Sequence, residues 1–397
     1  MLSTDVVVAG GGVSGLLIAS ALASECSVVL LEQNDSIPRN KYWLTDDRVA
    51  SQYPSLEVCI DRRYEYLDFI AYDGLTARVK GRYCLWDTDK LIEQLVYKIS
   101  NSNTTVLTGH RLYSIGHARG GIQVRANSQT INARLLVDCM GFGSPLVGAK
   151  NVATITGYYI VHGCELKARA CPHPVALDNV IVGRNPAFFE LFPTSRGTAH
   201  AAIILPCRQH TPNRSIKGEL NFILSKSHYS EQIAWNPQQV QRSYFGIIPV
   251  GRLHQHALDR ILFFGEAGQA NPAASATGLT RMLHTYQELA HSILDCLRRD
   301  ALRCDQLKRA VPIYMTRMNR AFHESLFESI LSYNSDDFRR LVLDLTQYPH
   351  ETINDLIFAD FDFRPRKTLQ LALDTLLRPR NILGWQVVRA IGRLIRG

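Results

Sequence analysis

The feature that most constrains this chain is a glycine turn within its first fifteen residues. An apolar run from Val6 to Ala9 leads into Gly10, Gly12 and Gly15, which have the G-x-G-x-x-G spacing. In such turns the first glycine permits a tight bend, the second lets backbone N–H groups approach a pyrophosphate, and the third lets the next helix pack closely. The pattern predicts a strand, a turn and a helix whose N-terminus faces phosphate groups.

The residues after the glycines complete a dinucleotide-binding unit. The segment from Val13 to Ser24 favours a helix, and the next apolar strand ends at Glu32. An acid about 20 residues beyond the glycines commonly binds a ribose hydroxyl. In the polar loop that follows, Arg39 is a candidate contact for adenosine or pyrophosphate, although a solvated loop explains it equally well. The expected cofactor contacts here are Gly10, Gly12, Val13, Ser14, Gly15, Glu32 and Arg39.

Two further apolar strands end in glycine-bearing turns. The run from Ala133 to Asp138 leads into Gly141, and its place in the chain fits a strand that returns to the first sheet. The run from Ile261 to Phe264 leads into Gly265, and a helix is predicted from Leu279 to Arg298. A second helix N-terminus behind a second glycine turn provides another site for polar cofactor groups. These turns add Asp138, Gly141, Gly265, Glu266 and Gly278 to the candidate cofactor contacts.

Residues 157–207 have the pattern of short apolar strands separated by prolines. We expect an antiparallel sheet there, apolar enough to line a pocket for a hydrophobic small molecule. The histidines within and just after this stretch share no metal-ligand spacing and are interpreted as structural or solvated, so no metal site is predicted. They are His162, His173, His200 and His210.

The basic character of the chain is concentrated at its C-terminus. Of the net charge of +8, the segment from Arg364 to Gly397 supplies +7, and the body shows no basic and aromatic pattern suited to nucleic acid. The segment from Ile382 to Gly397 predicts an amphipathic helix that contacts a membrane surface peripherally, or alternatively packs Trp385 onto the body. Its apolar face is Trp385, Val388, Ile391 and Ile395, and its polar face is Gln386, Arg389, Arg393 and Arg396.

The nine cysteines form no C-x-x-C pair, no leader precedes the first strand, and no apolar run reaches the roughly 18 residues of a spanning helix. These features predict a reduced, cytoplasmic protein.

Several stretches of the sequence resemble a known group of flavoproteins. Over residues 1–300 the chain is similar to the FAD-dependent superfamily of aromatic-ring hydroxylases, geranylgeranyl reductases and lycopene cyclases, and the similarity to the lycopene cyclases is the closest. Gly265-Glu266-Ala267-Gly268 discriminates best, because the hydroxylases usually have Gly-Asp there. The other matching stretches are Val8 to Gly15, Leu136 to Pro145, Thr156 to Tyr159, Gly163 to Glu165, Ile248 to Gly251 and Asn271 to Gly278.

Pattern and resemblance together imply an α/β fold in four segments. A Rossmann-type FAD-binding domain comprises residues 1–150 and 246–300, and an inserted antiparallel β-sheet substrate domain comprises residues 151–245. Residues 301–397 form a helical C-terminal region with a basic amphipathic tail.

The resemblance implies cyclisation or isomerisation with reduced FAD and no net redox change. A carboxylic acid protonates a double bond of an isoprenoid or polyene substrate, which requires an apolar pocket that raises its pKa and aromatic faces that stabilise a cation. The family's acidic motif falls on the strand from Thr198 to Leu205, which contains no carboxylate here. Glu190, which lies among aromatic residues, and Glu266 are the candidate catalytic acids, with contact to the flavin ribityl chain favoured for Glu266.

Two alternatives remain open. The first is a redox flavoenzyme, either a monooxygenase or a prenyl reductase. No second complete glycine motif is present, so NAD(P)H would act as an external reductant or a partner protein would supply electrons. The second is a flavin-binding protein that holds a lipid without turning it over.

Overall fold

The structure is a computed structural model that describes residues 2–39, 41–118, 120–148, 152–168, 173–182, 185–210, 215–226, 229, 233, 236, 238, 240–313, 315–360, 368 and 381–396. The described strands, in chain order, are β1 (Leu2–Ala9), β2 (Val28–Leu31), β3 (Leu44–Asp46), β4 (Ile60–Ile70), β5 (Thr76–Trp86), β6 (Thr104–Leu107), β7 (Leu112–Ala118), β8 (Gly121–Ala126), β9 (Gln129–Asp138), β10 (Ala153–Lys167), β11 (Val175–Val182), β12 (Asn185–Pro193), β13 (Thr198–Cys207), β14 (Arg242–Leu253), β15 (Ala257–Leu258) and β16 (Ile261–Phe263). The described α-helices span Val13–Leu22, Asp47–Ser51, Thr88–Ser100, Ile216–Lys226, Gly278–Arg298, Cys304–Ala310, Arg317–Ile330, Ser335–Leu345, His350–Ile357 and Ile382–Arg396.

The first sheet has the strand order β15-β16-β9-β1-β2-β6, with β8 and β7 added beside β9. Its central strand β1 pairs in parallel with both β2 and β9, and Val6, Val7 and Val8 are fully buried. Strands covered on both faces are apolar throughout, which explains these uninterrupted runs. Helices Val13–Leu22 and Gly278–Arg298 pack together over this sheet, and the predicted Rossmann-type α/β arrangement is confirmed.

The second sheet has the order β14-β10-β13-β12-β11-β4-β5-β3. Its neighbours are antiparallel except for β11 and β4, which pair in parallel. The strands β4 and β5 lie inside residues 1–150, yet they join this sheet and not the first one. Strand β14 likewise begins before residue 246 and pairs along its length with β10. The second sheet therefore draws on three separate stretches of chain.

The C-terminal helices differ in two places from the sequence pattern. Apolar residues spaced three and four apart from Asp305 to Tyr333 favour one helix, but the structure has two, Cys304–Ala310 and Arg317–Ile330. Pro312 lies in the gap, and proline both lacks an N–H donor and clashes with the preceding turn. The next helix is capped by Asn334: its side chain accepts a hydrogen bond from Asp337 N, while Asp337 accepts one from Asn334 N. The sequence offers Ser335 as another residue suited to capping, but in the structure it is the first helical residue.

The last helix, Ile382–Arg396, packs on Arg317–Ile330 with part of its polar face turned inward. Gln386 is 2% exposed and accepts a hydrogen bond from Ser325, and Arg389 donates one to Ser329. Trp385, the anchor of the alternative interpretation, is instead 43% exposed. The basic residues Arg364, Arg366, Lys367, Arg378 and Arg380 lie outside the described residues.

Within the described ranges, no helix has both the length and the hydropathy needed to cross a membrane. The described cysteines are free thiols.

Candidate functional site

In the first glycine turn, the protein's own backbone packing leaves no room for a side chain at Gly10 or Gly15, whereas the space beside Gly12 is open. A Cβ on Gly10, which has φ of +106°, would lie 2.6 Å from the Cys139 carbonyl oxygen, and one on Gly15 would lie 1.9 Å from the Gly10 carbonyl oxygen. A Cβ on Gly12 would meet no protein atom within 4 Å. Gly10, Gly12, Val13 and Ser14 line a large cavity, so the open space at Gly12 is available to a ligand.

Glu32 lies at the end of β2 on the same cavity wall. Its Oε2 accepts a hydrogen bond of 2.8 Å from Gly11 N, and its Oε1 accepts one of 2.8 Å from Asn34 N. These two bonds fix the carboxylate against the glycine turn, where the dinucleotide-binding pattern places a ribose acceptor.

Asp138 is fully buried beneath the turn that follows β9. Its carboxylate accepts hydrogen bonds from Met140 N at 3.0 Å and from the Ser144 hydroxyl. Burial raises the pKa of Asp138 to about 6, against the opposing effect of these donors. Asp138 is absent from the described cavity wall, whereas Gly141 lines it, so the carboxylate shapes the turn and the glycine faces the ligand space.

The glycine turn at Gly265 contacts the first glycine turn. A Cβ on Gly265, which has φ of +68°, would lie 2.5 Å from Ser14 Cβ, so these two turns are in direct contact. Glu266 lines the cavity beside Gly141 and pairs with Lys41 Nζ at 3.3 Å. Gly278 begins the helix Gly278–Arg298 at the same wall.

Arg39 lies apart from these residues. Its guanidinium pairs with Glu93 at 2.8 Å and is 44% exposed, and the described cavity lining does not include it. Lys41 is the cation of this loop that lines the cavity.

The cavity has a volume of about 730 Å³ and runs from the glycine turns into the space between the second sheet and the C-terminal helices. The part of its described lining that comes from residues 317–383 is apolar except for His323. These residues are Phe322, Leu326, Ile330, Leu341, Val342, Leu345, Ile353, Leu356, Ile357, Phe358 and Leu383. Such a wall suits a hydrocarbon chain, because a polar group would lose its hydrogen bonds to water there.

Glu190 is placed on β12 between Phe188 and Phe192, and all three line the cavity. Glu190 pairs with Ala202 of β13, so it lies next to the strand to which the resemblance assigns the family's acidic motif. Tyr42 donates a hydrogen bond of 2.8 Å to Glu190 Oε2. Burial raises the pKa of Glu190 to about 7, although the Tyr42 hydrogen bond acts in the opposite direction. A substantial share of this carboxyl is therefore protonated at neutral pH.

Aromatic rings surround Tyr42, the hydrogen-bond partner of Glu190. Tyr42 stacks on His200 with centroids 5.0 Å apart, and it packs edge-on against Phe192 and Tyr244 at 5.8 and 5.7 Å. The Tyr244 hydroxyl lies 2.6 Å from His200 Nδ1. Burial lowers the pKa of His200 to about 4, so the ring is neutral at neutral pH. The faces of these rings can stabilise a positive charge.

Sequence reasoning did not single out Tyr42 or Tyr244, and it interpreted His200 as structural or solvated. Tyr42-Trp43 is an aromatic pair in a polar loop, which was the available signal for Tyr42. His323 was missed because a histidine on an amphipathic helix has no distinguishing pattern. Among the described residues, no group of three or more His, Cys, Asp or Glu side chains could hold a metal ion.

Solved structures with this fold include several flavoproteins. A geranylgeranyl bacteriochlorophyll reductase-like protein from Thermoplasma acidophilum has a TM-score of 0.73 at 13% identity, with 94% of this chain and 99% of that chain covered. The p-nitrophenol 4-monooxygenase of Pseudomonas putida has a TM-score of 0.62 at 14% identity, with 95% and 99% covered. The halogenase PltM, solved in complex with FAD, has a TM-score of 0.62 at 12% identity, with 98% and 96% covered. At these identities the likeness shows the fold.

No curated protein matches this sequence. The family described as lycopene cyclase protein matches residues 5–361. That match spans most of the 397 residues, and the chain belongs to the lycopene cyclase family.

Proposed function

We propose that this protein is an FAD-dependent enzyme that protonates and cyclises, or isomerises, a hydrophobic isoprenoid or polyene substrate. The observation that carries the proposal is Glu190, a carboxyl with raised pKa on the wall of an apolar cavity that is continuous with a dinucleotide cradle. A protonated acid facing hydrocarbon is the arrangement that protonation of a double bond requires.

The cradle fits FAD in three respects. Gly12 leaves open space at the N-terminus of a helix, where a pyrophosphate binds favourably. Glu32 is held in place for a ribose hydroxyl. Lys41, Gly141, Glu266 and Gly278, which begins helix Gly278–Arg298, line the same space. When bound, reduced FAD would supply an electron-rich surface beside the substrate.

The chain's own residues account for the proton. Glu190 transfers its proton to a terminal double bond, and the resulting carbocation is captured by a second double bond to form a ring. The Tyr42 hydroxyl stabilises the Glu190 carboxylate during this step through its 2.8 Å hydrogen bond. The rings of Tyr42, Phe188 and Tyr244 stabilise the cation. Loss of a proton from the cyclic cation back to Glu190 restores the acid without net redox change.

The test uses purified protein reconstituted with FAD, reduced without oxygen, and given acyclic polyenes in detergent. The expected result is a cyclic product of unchanged mass. The Glu190→Gln variant should retain FAD and lose product formation, since the amide cannot donate a proton of suitable acidity. Glu266→Gln is the matched control on the other candidate acid and should affect FAD retention more than proton transfer. Full turnover by Glu190→Gln would contradict the assignment.

The second candidate function is redox chemistry by the same cofactor, either as a monooxygenase or as a prenyl reductase using NAD(P)H. The continuity of cradle and cavity favours it too, because hydride transfer also needs direct contact between cofactor and substrate. Anaerobic mixing with NADPH separates the two. Bleaching of the flavin followed by substrate-dependent reoxidation with oxygen uptake, or a product of changed mass, supports redox chemistry. Conversion of any substrate would exclude the remaining alternative, a flavin-binding protein that holds a lipid without turning it over.

Peripheral membrane contact is part of the proposal and rests on the last helix. Trp385, Val388 and Ile395 are 43%, 37% and 79% exposed, whereas Gln386 and Arg389 bind the protein body. An outward apolar face of this kind suits the headgroup boundary. Sedimentation with phosphatidylglycerol vesicles should carry the protein down, and Ile395→Ser combined with Val388→Ser should reduce the bound fraction several-fold. An unchanged bound fraction would contradict this role.

A further inference from the structure

A second, much smaller chamber lies next to the large cavity and has a polar lining. Its volume is about 10 Å³, which approaches the smallest space that holds one water molecule. The chamber lies between the end of β14 and helix Arg317–Ile330, and its polar walls include His256, Gln269, Arg320, His323 and Glu324. None of these side chains has a role in the proposed chemistry.

Several buried polar atoms of this lining are without a protein partner. Within the described part of the chain, His256 Nδ1, Gln269 Nε2 and Glu324 Oε1 form no hydrogen bond. His323 Nε2 also makes none of acceptable geometry, although the Leu356 carbonyl lies close to its ring. Buried polar atoms are rarely left unpaired, because the cost of removing the group from water is then not offset by a hydrogen bond. Three such atoms, on His256, Gln269 and Glu324, surround one small space and indicate a missing partner.

The chemistry of these atoms identifies the partner. Gln269 Nε2 can only donate a hydrogen bond, and His323 Nε2 carries a hydrogen because Nδ1 accepts from Ala274 N at 3.4 Å. Glu324 Oε1 accepts when the group is ionised. A cation would be repelled by the donors and by Arg320, and an anion would be repelled by Glu324. A molecule that both donates and accepts is required.

We infer that this chamber is a binding site for one ordered water molecule, held by His256, Gln269 and Glu324 and packed against His323. His323 lines both the chamber and the large cavity. Glu324, the next residue, reaches toward Arg393 of the last helix, at 3.9 Å. The water therefore connects the two packed helices Arg317–Ile330 and Ile382–Arg396 to the wall of the large cavity.

A crystal structure of the full chain, at a resolution that shows ordered solvent, tests the site directly. The expected result is a solvent peak about 2.7 to 3.2 Å from at least two of His256 Nδ1, Gln269 Nε2 and Glu324 Oε1. An empty chamber overturns the inference. A peak with the shorter distances and anomalous signal of a metal ion overturns it too.

A pair of variants tests the same site in solution without relying on turnover. Glu324→Gln keeps an acceptor oxygen for the water, whereas Glu324→Leu removes it, and both lose the charge that faces Arg393. We expect Glu324→Leu to melt at least about 2 °C below Glu324→Gln. Equal melting temperatures, or a more stable Glu324→Leu, would overturn the inference.

Discussion

The hydroxyl of Tyr42 donates a hydrogen bond of 2.8 Å to Glu190, a residue 148 positions later in the chain. The preceding residue, Lys41, forms an ion pair with Glu266. One short loop therefore contacts both candidate acids, with a neutral partner for Glu190 and a cationic partner for Glu266. The neutral partner and the apolar surroundings are the reason that the proposed reaction assigns the proton transfer to Glu190.

The rate of product formation should depend on the protonated fraction of Glu190. Because burial raises the pKa of Glu190 to about 7, kcat should be highest below this pH and fall as the pH rises through it. The pH profile of kcat with reduced FAD measures this. A rate that increases between pH 7 and 9 would be inconsistent with an acid catalyst of this kind.

Tyr42→Phe should alter this profile in a defined direction. The variant removes a hydrogen bond that stabilises the ionised carboxylate, so the pKa of Glu190 rises and the alkaline limb moves to higher pH. The proton transfer itself becomes slower by about 10- to 100-fold, because hydrogen bonds to charged groups contribute about 1.5 to 3 kcal/mol. KM should change little. A lower rate with an unmoved limb would reduce Tyr42 to a packing role.

The pH dependence of the free energy of unfolding should report the raised pKa of Glu190 in the absence of substrate. The pKa of Glu190 is about 7 in the folded protein and near 4.5 when unfolded, so the folded state binds more protons between these values. Its contribution to the free energy of unfolding is therefore lost as the pH rises from about 4.5 to 7. Glu190→Gln lacks this loss and should gain stability relative to wild type between pH 4.5 and 8. Urea unfolding of both proteins measures the difference, and a constant difference would refute the raised pKa.

Substitutions of Gly12 and Gly15 should have different effects, the first on FAD binding and the second on folding. Gly12→Val places its side chain into open cavity, so the protein should fold normally and lose FAD. Gly15→Ala forces a Cβ to within 1.9 Å of the Gly10 carbonyl oxygen, so the fold itself should suffer. Circular dichroism and flavin absorbance, recorded on both variants, separate these effects. FAD binding by Gly12→Val with unchanged affinity would place the cofactor elsewhere.

The apolar end of the cavity should limit substrate length. Val342 lines it from helix Ser335–Leu345, and Val342→Phe narrows the space available to a long chain. Turnover of long polyenes should fall about 10-fold or more, because the larger side chain occupies part of the space that their chain needs, whereas turnover of shorter polyenes and FAD binding should be unchanged. Overpacking of this kind also costs about 1 to 3 kcal/mol of stability. Val58→Phe, at an exposed position that is not part of the described cavity lining, is the matched control. Equal loss for short and long substrates would argue against this placement.

The local elements of the fold were predictable from the sequence. The apolar spacing from Asp87 to Ser100 favours a helix, and the structure has one at Thr88–Ser100 with Asp87 as its cap. The glycine pair at 120 and 121 favours a turn between strands, and β7, β8 and β9 pair around it. These elements follow local periodicity and turn chemistry. The inward polar face of Ile382–Arg396 was not predictable, because the partners Ser325 and Ser329 are about 60 residues away.

The sequence by itself determined the strand, turn and helix around Gly10 to Gly15, the second glycine turn at Gly265, and the lycopene cyclase relationship. Each depends on one or more short stretches whose residues lie within a few positions of one another, where spacing has a direct geometric meaning. Only the tertiary structure decided that Glu190 meets Tyr42, that β4 and β5 join the second sheet, and that Arg39 pairs with Glu93 away from the cavity. Those relationships depend on pairing between distant segments, which hydrophobic periodicity along the chain does not specify.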